Sequence, residues 1–291
     1  MKTVFITGAS GFLGYHLLER ASLRYKVHGC YHQHPPRSNQ GHFYPCDITN
    51  IREVGDLIDD LEPDAIIHTA AIADAGICFK EPALSYAINV EAAAQLAGIA
   101  SDLQIPFVFT STDLVFDGHK GNYDENDTPQ PTSVYGQQKA AAEDAIQRIY
   151  PESLIARIPL LFGRPGASAR SPFSKLLADL KNGTPVKLFH DEYRSMCSAY
   201  TIAEGLLHLM EHESGILHLC ANERMSRYQF GCEVAKAFGL STGSIEAVSQ
   251  KEIVFSEPRP ADVSMNCAKA IAAGYRINTI AEQLQFLATM P

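Results

Sequence analysis

Several kinds of segment are missing from this 291-residue sequence, and each absence narrows what the chain does. No window comes near the roughly 18 consecutive apolar residues that a membrane-spanning helix needs, so no bilayer span is expected. No Cys-x-x-Cys pair occurs. The seven cysteines (Cys30, Cys46, Cys78, Cys197, Cys220, Cys232, Cys267) are odd in number and mostly set in apolar runs, so reduced, buried thiols are expected. Basic charge is scarce: 24 Lys plus Arg against 33 Asp plus Glu leave a formal net charge of -9. An acidic chain repels the phosphate backbone that nucleic-acid binding must neutralise, and no nucleic-acid partner is expected. Repeats and low-complexity tails are absent too. The opening MKTVFITGASGFLG runs straight into a strand and turn rather than a signal peptide, which points to the cytoplasm.

Apolar residues, by contrast, make up 46% of the chain, enough for one large domain or one domain with a smaller lobe. Val4-Phe5-Ile6 ends in Thr7-Gly8, and Phe12, Leu13, His16, Leu17 and Leu18 then recur at helical spacing, the first half of a βαβ unit. Strand-like runs follow at 26–31, 42–46, 65–70, 106–112 and 153–158, with helical patterns between several of them. The longest helical pattern covers Pro82 to Leu103. Strands alternating with helices predict an α/β fold with a doubly wound parallel sheet. After about residue 160 the rhythm is lost in GRPGASARSP and the short runs VKLFH, GILHLC and EAVS. The expected division is a dinucleotide-binding domain over 1–165, a smaller substrate lobe mainly over 166–291, and a segment near 198–215 returning to the first domain.

Gly8, Gly11 and Gly14 stand where the first strand becomes the first helix, with Ser10 between them. Backbone can approach a pyrophosphate there, and the helix N-terminus offers it free N–H groups. Dinucleotide binding is the expectation. An NAD site usually has an acid at the end of the second strand, about 20 residues on. Here the strand ends Cys30-Tyr31-His32-Gln33-His34, with Arg37 beyond. Without a carboxylate to repel a 2′-phosphate, and with His32 or Arg37 to meet it, the sequence favours NADP over NAD. Asp47 and Ile48 follow the third strand and either contact the adenine or, for Asp47, cap the next helix.

Tyr135 and Lys139 stand four apart in Ser133-Val-Tyr-Gly-Gln-Gln-Lys139, which on a helix puts them on one face. A phenol of pKa about 10 beside an ammonium is brought toward the range where it can exchange a proton. Upstream, the strand through Ser111 ends in Thr112-Asp113, and the carboxyl ends of such strands are where doubly wound sheets bind ligands. Thr112 is placed to hold the reacting oxygen. Arg194 and Arg259 are either phosphate clamps or surface arginines. His208 and His212 lack a third ligand and read as a solvated helix face, so no metal is expected. His68 reads as a core histidine.

Taken together, TGASGFLG, HTAAIADAGICFKEP, STDLVFDG, Tyr123-Asp-Glu-Asn-Asp127 leading to VYGQQK, Ala156 to Gly163, GILHLCANERMSRYQF and EPRPADVSMNCAK resemble the extended short-chain dehydrogenases/reductases. Within these the chain is most similar to the dTDP-4-dehydrorhamnose reductase (RmlD-like) group. The resemblance implies a Rossmann sheet and a catalytic triad of Thr112, Tyr135 and Lys139. It also implies Gly11, Phe12 and Leu13 under the pyrophosphate, Ala70 and Ala71 along the path from adenosine to nicotinamide, and Asp113 against the sugar. Leu160 occupies the place where those enzymes tend to carry an aromatic, Phe12 one where they often have Gln, and the chain has no Trp. The implied activity is NADPH-dependent reduction of a ketone, a nucleotide-linked 4-keto sugar, by hydride transfer with Tyr135 as proton donor. Two alternatives share the fold: a nucleotide-sugar epimerase holding NAD, and an NADP-binding regulatory subunit resembling methionine adenosyltransferase beta. Leu114, where dehydratases place Glu, argues against dehydration. A homodimer is an expected assembly.

Overall fold

The computed structural model describes residues 1–36, 38–164 and 171–290; Arg37 and the expected 165/166 junction lie outside the described residues. The first half largely alternates strands with helices. β1 (Thr3–Thr7), α1 (Phe12–Ala21), β2 (Lys26–Tyr31), β3 (His42–Pro45), α2 (Ile51–Leu61) and β4 (Ala65–His68) come first. They are followed by α3 (Ala75–Lys80), α4 (Pro82–Tyr86), a π-helical turn (Ala87–Glu91), α5 (Ala92–Leu103), β5 (Phe107–Thr112), a 3-10 turn (Asp113–Val115), α6 (Val134–Ile149) and β6 (Leu154–Ile158). The remainder comprises β7 (Leu161–Phe162), α7 (Pro172–Lys181), β8 (Val186–Phe189), β9 (Tyr193–Arg194), β10 (Cys197–Ser198), α8 (Ala199–Leu209) and β11 (Gly215–His218). It ends with β12 (Met225–Ser226), α9 (Arg227–Ala237), β13 (Ile245–Val248), α10 (Ala268–Ala272) and α11 (Ile280–Thr289).

Seven strands form one parallel sheet in the order β11-β6-β5-β4-β1-β2-β3. Its central strands are apolar on both faces, as a sheet covered by helices requires. One face packs Val4, Ile6 and Val108 against Leu13 and Leu17 of α1 and Ile202 and Leu206 of α8. The other packs Phe5, Ile66 and Phe109 against Val54 and Ile58 of α2, Leu96 of α5 and Ile146 of α6. Truncating any of the fully buried leucines to Ala costs about 2–5 kcal/mol. A separate core of Phe162, Phe173, Phe230, Val234, Ile280 and Leu284 lies in the later part of the chain, where β8 pairs with β13 and β9 with β12.

Two details differ from the sequence reading. The run GILHLC, expected among the irregular late strands, supplies β11, which pairs with β6 from Gly215↔Leu154 to His218↔Arg157 and completes the main sheet. The single helix expected over Pro82 to Leu103 is interrupted at Ala87–Glu91. Asn89 lies inside that turn: its Oδ1 accepts from Ile72 N at 2.9 Å, and its Nδ2 donates to Ile72 O at 3.0 Å and Gln138 Oε1 at 2.9 Å. Such tertiary bonds outweigh local helix propensity. All seven cysteines are free, and all but Cys232 are buried. Among the described residues no helix is long and apolar enough to cross a membrane.

Candidate active site

The order of the sheet reverses between β1 and β4, and a trough runs over the carboxyl ends of the strands at that point. One half, of about 360 Å³, is bordered by Gly8, Ser10, His32, Asp47, Ile48 and Ala70. The other, of about 340 Å³, is bordered by Phe12, Leu13, Thr112, Tyr135, Lys139 and Leu160. Gly11, Thr69 and Ala71 border both, so the two halves are continuous.

The glycine turn fits a dinucleotide on structural grounds. Gly8 has φ +67°, and a Cβ on it would stand 2.7 Å from Ala70 N. Gly14 does not border the trough; a Cβ there would strike Gly8 O at 2.2 Å, so its role is to let α1 close onto the turn. Gly11 begins α1 with no side-chain cap, leaving the first N–H groups of a ten-residue helix facing the trough. Beyond β2, His32 is exposed, while Asp47 Oδ1 accepts from Thr49 N at 3.0 Å and Thr49 Oγ1 at 2.8 Å. Those bonds hold the Asp47 carboxyl below its usual range. The cap position of α2 falls to Asn50, not Asp47.

β5 and α6 bring Thr112, Tyr135 and Lys139 to one cavity. β5 delivers Thr112, whose Oγ1 accepts from Leu114 N at 3.2 Å and so opens the 3-10 turn. Ser133 caps α6, accepting from Gly136 N at 3.1 Å, which sets Tyr135 in the first turn and Lys139 one turn later. Gly136 permits the close approach: a Cβ there would lie 2.2 Å from Leu114 O. Tyr135, Lys139 and Thr112 are all buried. Burial, then the charge of Asp113, pushes the Tyr135 phenol up from its ordinary value, with Thr112 and Arg194 opposing, so the free protein holds it protonated. Burial lowers Lys139 to about 7, opposed by Glu143 one turn on. The Lys139 ammonium sits 3.8 Å from the Phe109 ring centroid.

On the substrate side, Arg194 borders the trough and Arg259 a neighbouring cavity of about 200 Å³ that Arg194 also borders. Arg194 Nη1 donates to both oxygens of Asp113, and Arg259 Nη2 donates to Glu192 Oε2 at 2.8 Å. Asp113, expected against the sugar, is therefore engaged by a guanidinium. Sequence reasoning does not single out Arg227, Glu192 or Ser111. Arg227 borders a slot beside Leu160, and burial lowers it to about 10. Ser111 Oγ and Arg194 Nε are buried without a hydrogen-bond partner among the described residues, and both residues border the second half of the trough. The only signal for Ser111 is its place one residue before Thr112. His68 lies under the site: its Nδ1 meets Thr7 Oγ1 at 2.7 Å, and burial lowers it to about 3.

Fold, glycine turn and the Thr, Tyr, Lys set together define an extended short-chain dehydrogenase/reductase, a class of NAD(P)-dependent oxidoreductases acting on CH–OH and C=O groups. Within that class the chain belongs to the RmlD substrate binding domain family, whose model matches residues 1–289. The probable low-salt glycan biosynthesis reductase of Haloferax volcanii is 32% identical over 263 residues, 88% of this chain and 87% of that protein. Methionine adenosyltransferase 2 subunit beta of Xenopus laevis is 29% identical over 277 residues, 92% of this chain and 81% of that protein. The crystal structure of a hypothetical dTDP-4-dehydrorhamnose reductase from Sulfolobus tokodaii superposes with a TM-score of 0.81 at 33% identity, covering 96% of each chain. That of the dTDP-4-dehydrorhamnose reductase from Bacillus anthracis, in complex with NADP, reaches 0.85 at 24% identity over 99% of each, a likeness of fold.

Proposed function

We propose that the protein is an NADPH-dependent reductase of a ketone, with a nucleotide-linked 4-keto sugar as substrate. The observation that carries this reading is that Thr112, Tyr135 and Lys139 border one cavity together with Gly11, Phe12 and Leu13 of the cofactor turn. A reduced nicotinamide bound there supplies the hydride. Tyr135 donates its phenolic proton to the ketone oxygen, Thr112 holds that oxygen, and Lys139 binds the nicotinamide ribose while its charge favours the phenolate left behind. A phenol kept protonated by burial and by Asp113 is in the state needed to give a proton to the ketone oxygen.

The remaining roles follow the trough. Gly8, Ser10, Gly11, Phe12 and Leu13 lie under the pyrophosphate with the α1 amides, Ala70 and Ala71 along the dinucleotide, and Asp47 and Ile48 at the adenine. The preference for NADP rests on the absence of a carboxylate at the end of β2, where Tyr31 and His32 stand instead. Arg194 and Arg259 take the diphosphate of the substrate, with Asp113 orienting Arg194 and Leu160 against the sugar or nucleotide. We assign cofactor binding to residues 1–165 with the returning segment 198–215, and substrate recognition mainly to the rest.

A regulatory role without turnover is the second reading, favoured by the likeness to methionine adenosyltransferase 2 subunit beta. The complete Thr, Tyr, Lys set favours catalysis, because binding alone has no need of an acid. The test is NADPH oxidation against nucleotide-linked 4-keto sugars, with NADH in parallel. Turnover faster with NADPH, and lower by about 100-fold or more in Tyr135→Phe, is expected. Tight cofactor binding with no turnover of any keto sugar, or full activity in Tyr135→Phe, overturns the proposal; recovery with stoichiometric tightly held NAD points to an epimerase.

A further inference from the structure

A cleft of about 510 Å³, larger than either half of the trough and sharing no bordering residue with it, lies between α1, α8 and the segment 274–278. Arg20 of α1, Arg24 just beyond it, Glu204 and His208 of α8, and Arg276 border the cleft. Arg24 Nη2 donates to Glu204 Oε2 at 2.7 Å and Arg20 Nε to Glu204 Oε1, so two guanidiniums share one carboxylate. No described acid pairs with Arg276, and Glu204 is the one carboxylate bordering the cleft. Three guanidiniums against one carboxylate leave a local surplus of two positive charges in a chain whose net charge is -9. The dipole of α1 accounts for cations near its carboxyl end, but not for Arg276, which borders the same cleft from another segment.

Two glycines let the segment 274–278 pack closely onto α8. A Cβ on Gly205 would stand 2.6 Å from the Tyr275 ring, and one on Gly274, with φ +99°, 2.7 Å from His208 Nε2. The Tyr200 ring is engaged within the protein, with the Arg20 guanidinium 4.8 Å from its centroid and the Phe286 ring 5.3 Å away. Recognition therefore falls to the guanidiniums, whose planar N–H pairs match phosphate oxygens. We propose that this cleft is a second anion site, taking a small molecule through a phosphate or diphosphate group, independent of the reductase site.

The test is calorimetric titration of the NADP-saturated protein with inorganic pyrophosphate and, separately, with glucose 1-phosphate, in wild type, R24Q/R276Q and R259Q. Binding that weakens about tenfold or more in R24Q/R276Q and is unchanged in R259Q is expected. Pyrophosphate alone then identifies a free inorganic anion as the ligand, and glucose 1-phosphate binding as well identifies a phosphate ester. Thermal melting and NADPH oxidation in R24Q/R276Q should match wild type, so this result is read separately from the assignment of the reductase. No binding of either probe, an isotherm indifferent to Arg24 and Arg276, or a change only in oligomeric state, with a second copy covering the cleft, overturns the proposal.

Discussion

Arg194 Nη1 stands 2.8 Å from both carboxylate oxygens of Asp113, so the residue beside Thr112 is bound to β9 across 81 positions of sequence. Both side chains are buried. Burial pushes the Asp113 carboxyl up and Arg194 pulls it back; for Arg194, burial works against the charge, and Asp113 and Glu192 more than restore it. Removing one side of a buried pair costs about 3–5 kcal/mol where the other charge is left alone; Glu192, 3.7 Å from Arg194 Nε, remains, so Asp113→Asn should destabilise the protein by about 2–4 kcal/mol. The double variant D113L/R194M should recover most of that loss. Urea unfolding of the three proteins checks both statements, and equal stability of the single and double variants would refute the pair's role.

Gly136→Ala tests the approach of α6 to β5. The added methyl meets a backbone carbonyl, not a flexible side chain, so α6 must shift. A loss of about 1–3 kcal/mol is expected. Turnover should fall more steeply than stability alone explains, with cofactor affinity nearly retained, because Tyr135 moves away from Thr112 while the glycine turn is untouched. Steady-state kinetics and cofactor titration separate the two effects.

Lys139, lowered to about 7 by burial, carries a signed consequence for pH. Between about pH 7 and the unfolded value near 10.4, the unfolded chain binds the proton that the folded protein has released, so this group makes stability rise with pH over that window. Lys139→Met should remove the rise and stabilise the cofactor-free protein at pH 6, by something on the order of 5 kcal/mol. It should also abolish turnover. Unfolding midpoints at pH 6, 8 and 10 measure the slope.

Acid should act through three buried histidines. His16, His68 and His218 are lowered to about 4, 3 and 3, each chiefly by burial. Below about pH 6.5 the unfolded chain takes up protons that the folded protein refuses, and each group steepens the loss of stability by about 1.4 kcal/mol per pH unit. His218 Nδ1 lies 3.1 Å from Tyr123 O, a bond that Gln can keep. His218→Gln should lessen the fall in unfolding free energy between pH 7 and 5; an unchanged difference would place the acid sensitivity elsewhere.

The parts of the site that are legible in the sequence are those that lie close along the chain. Glycines at 8, 11 and 14 and the four-residue step from Tyr135 to Lys139 follow from the geometry of a turn and a helix; Gly8, Gly11, Tyr135 and Lys139 border one trough, and Gly14 lets α1 close onto the turn beneath it. The partner of Asp113 is not legible, because nothing local marks Arg194 as its neighbour. The interruption at Ala87–Glu91 is hidden for the same reason: Asn89 turns the chain there through bonds to Ile72 and Gln138. The run GILHLC is too short to tell an edge strand of the main sheet from a strand of the lobe, and only its register with Leu154 to Arg157 decides.

That register has a bearing on how the chain can be divided. With β11 on the edge of the sheet and α8 over α1, the later part of the sequence closes the earlier part's own architecture. A fragment stopping near residue 165 would bare the rim of β6 and the oily flank of α1, inviting self-association. Grafting a foreign recognition lobe onto this scaffold therefore means transplanting around α8 and β11, as an insert interrupted in the middle, not as a simple tail.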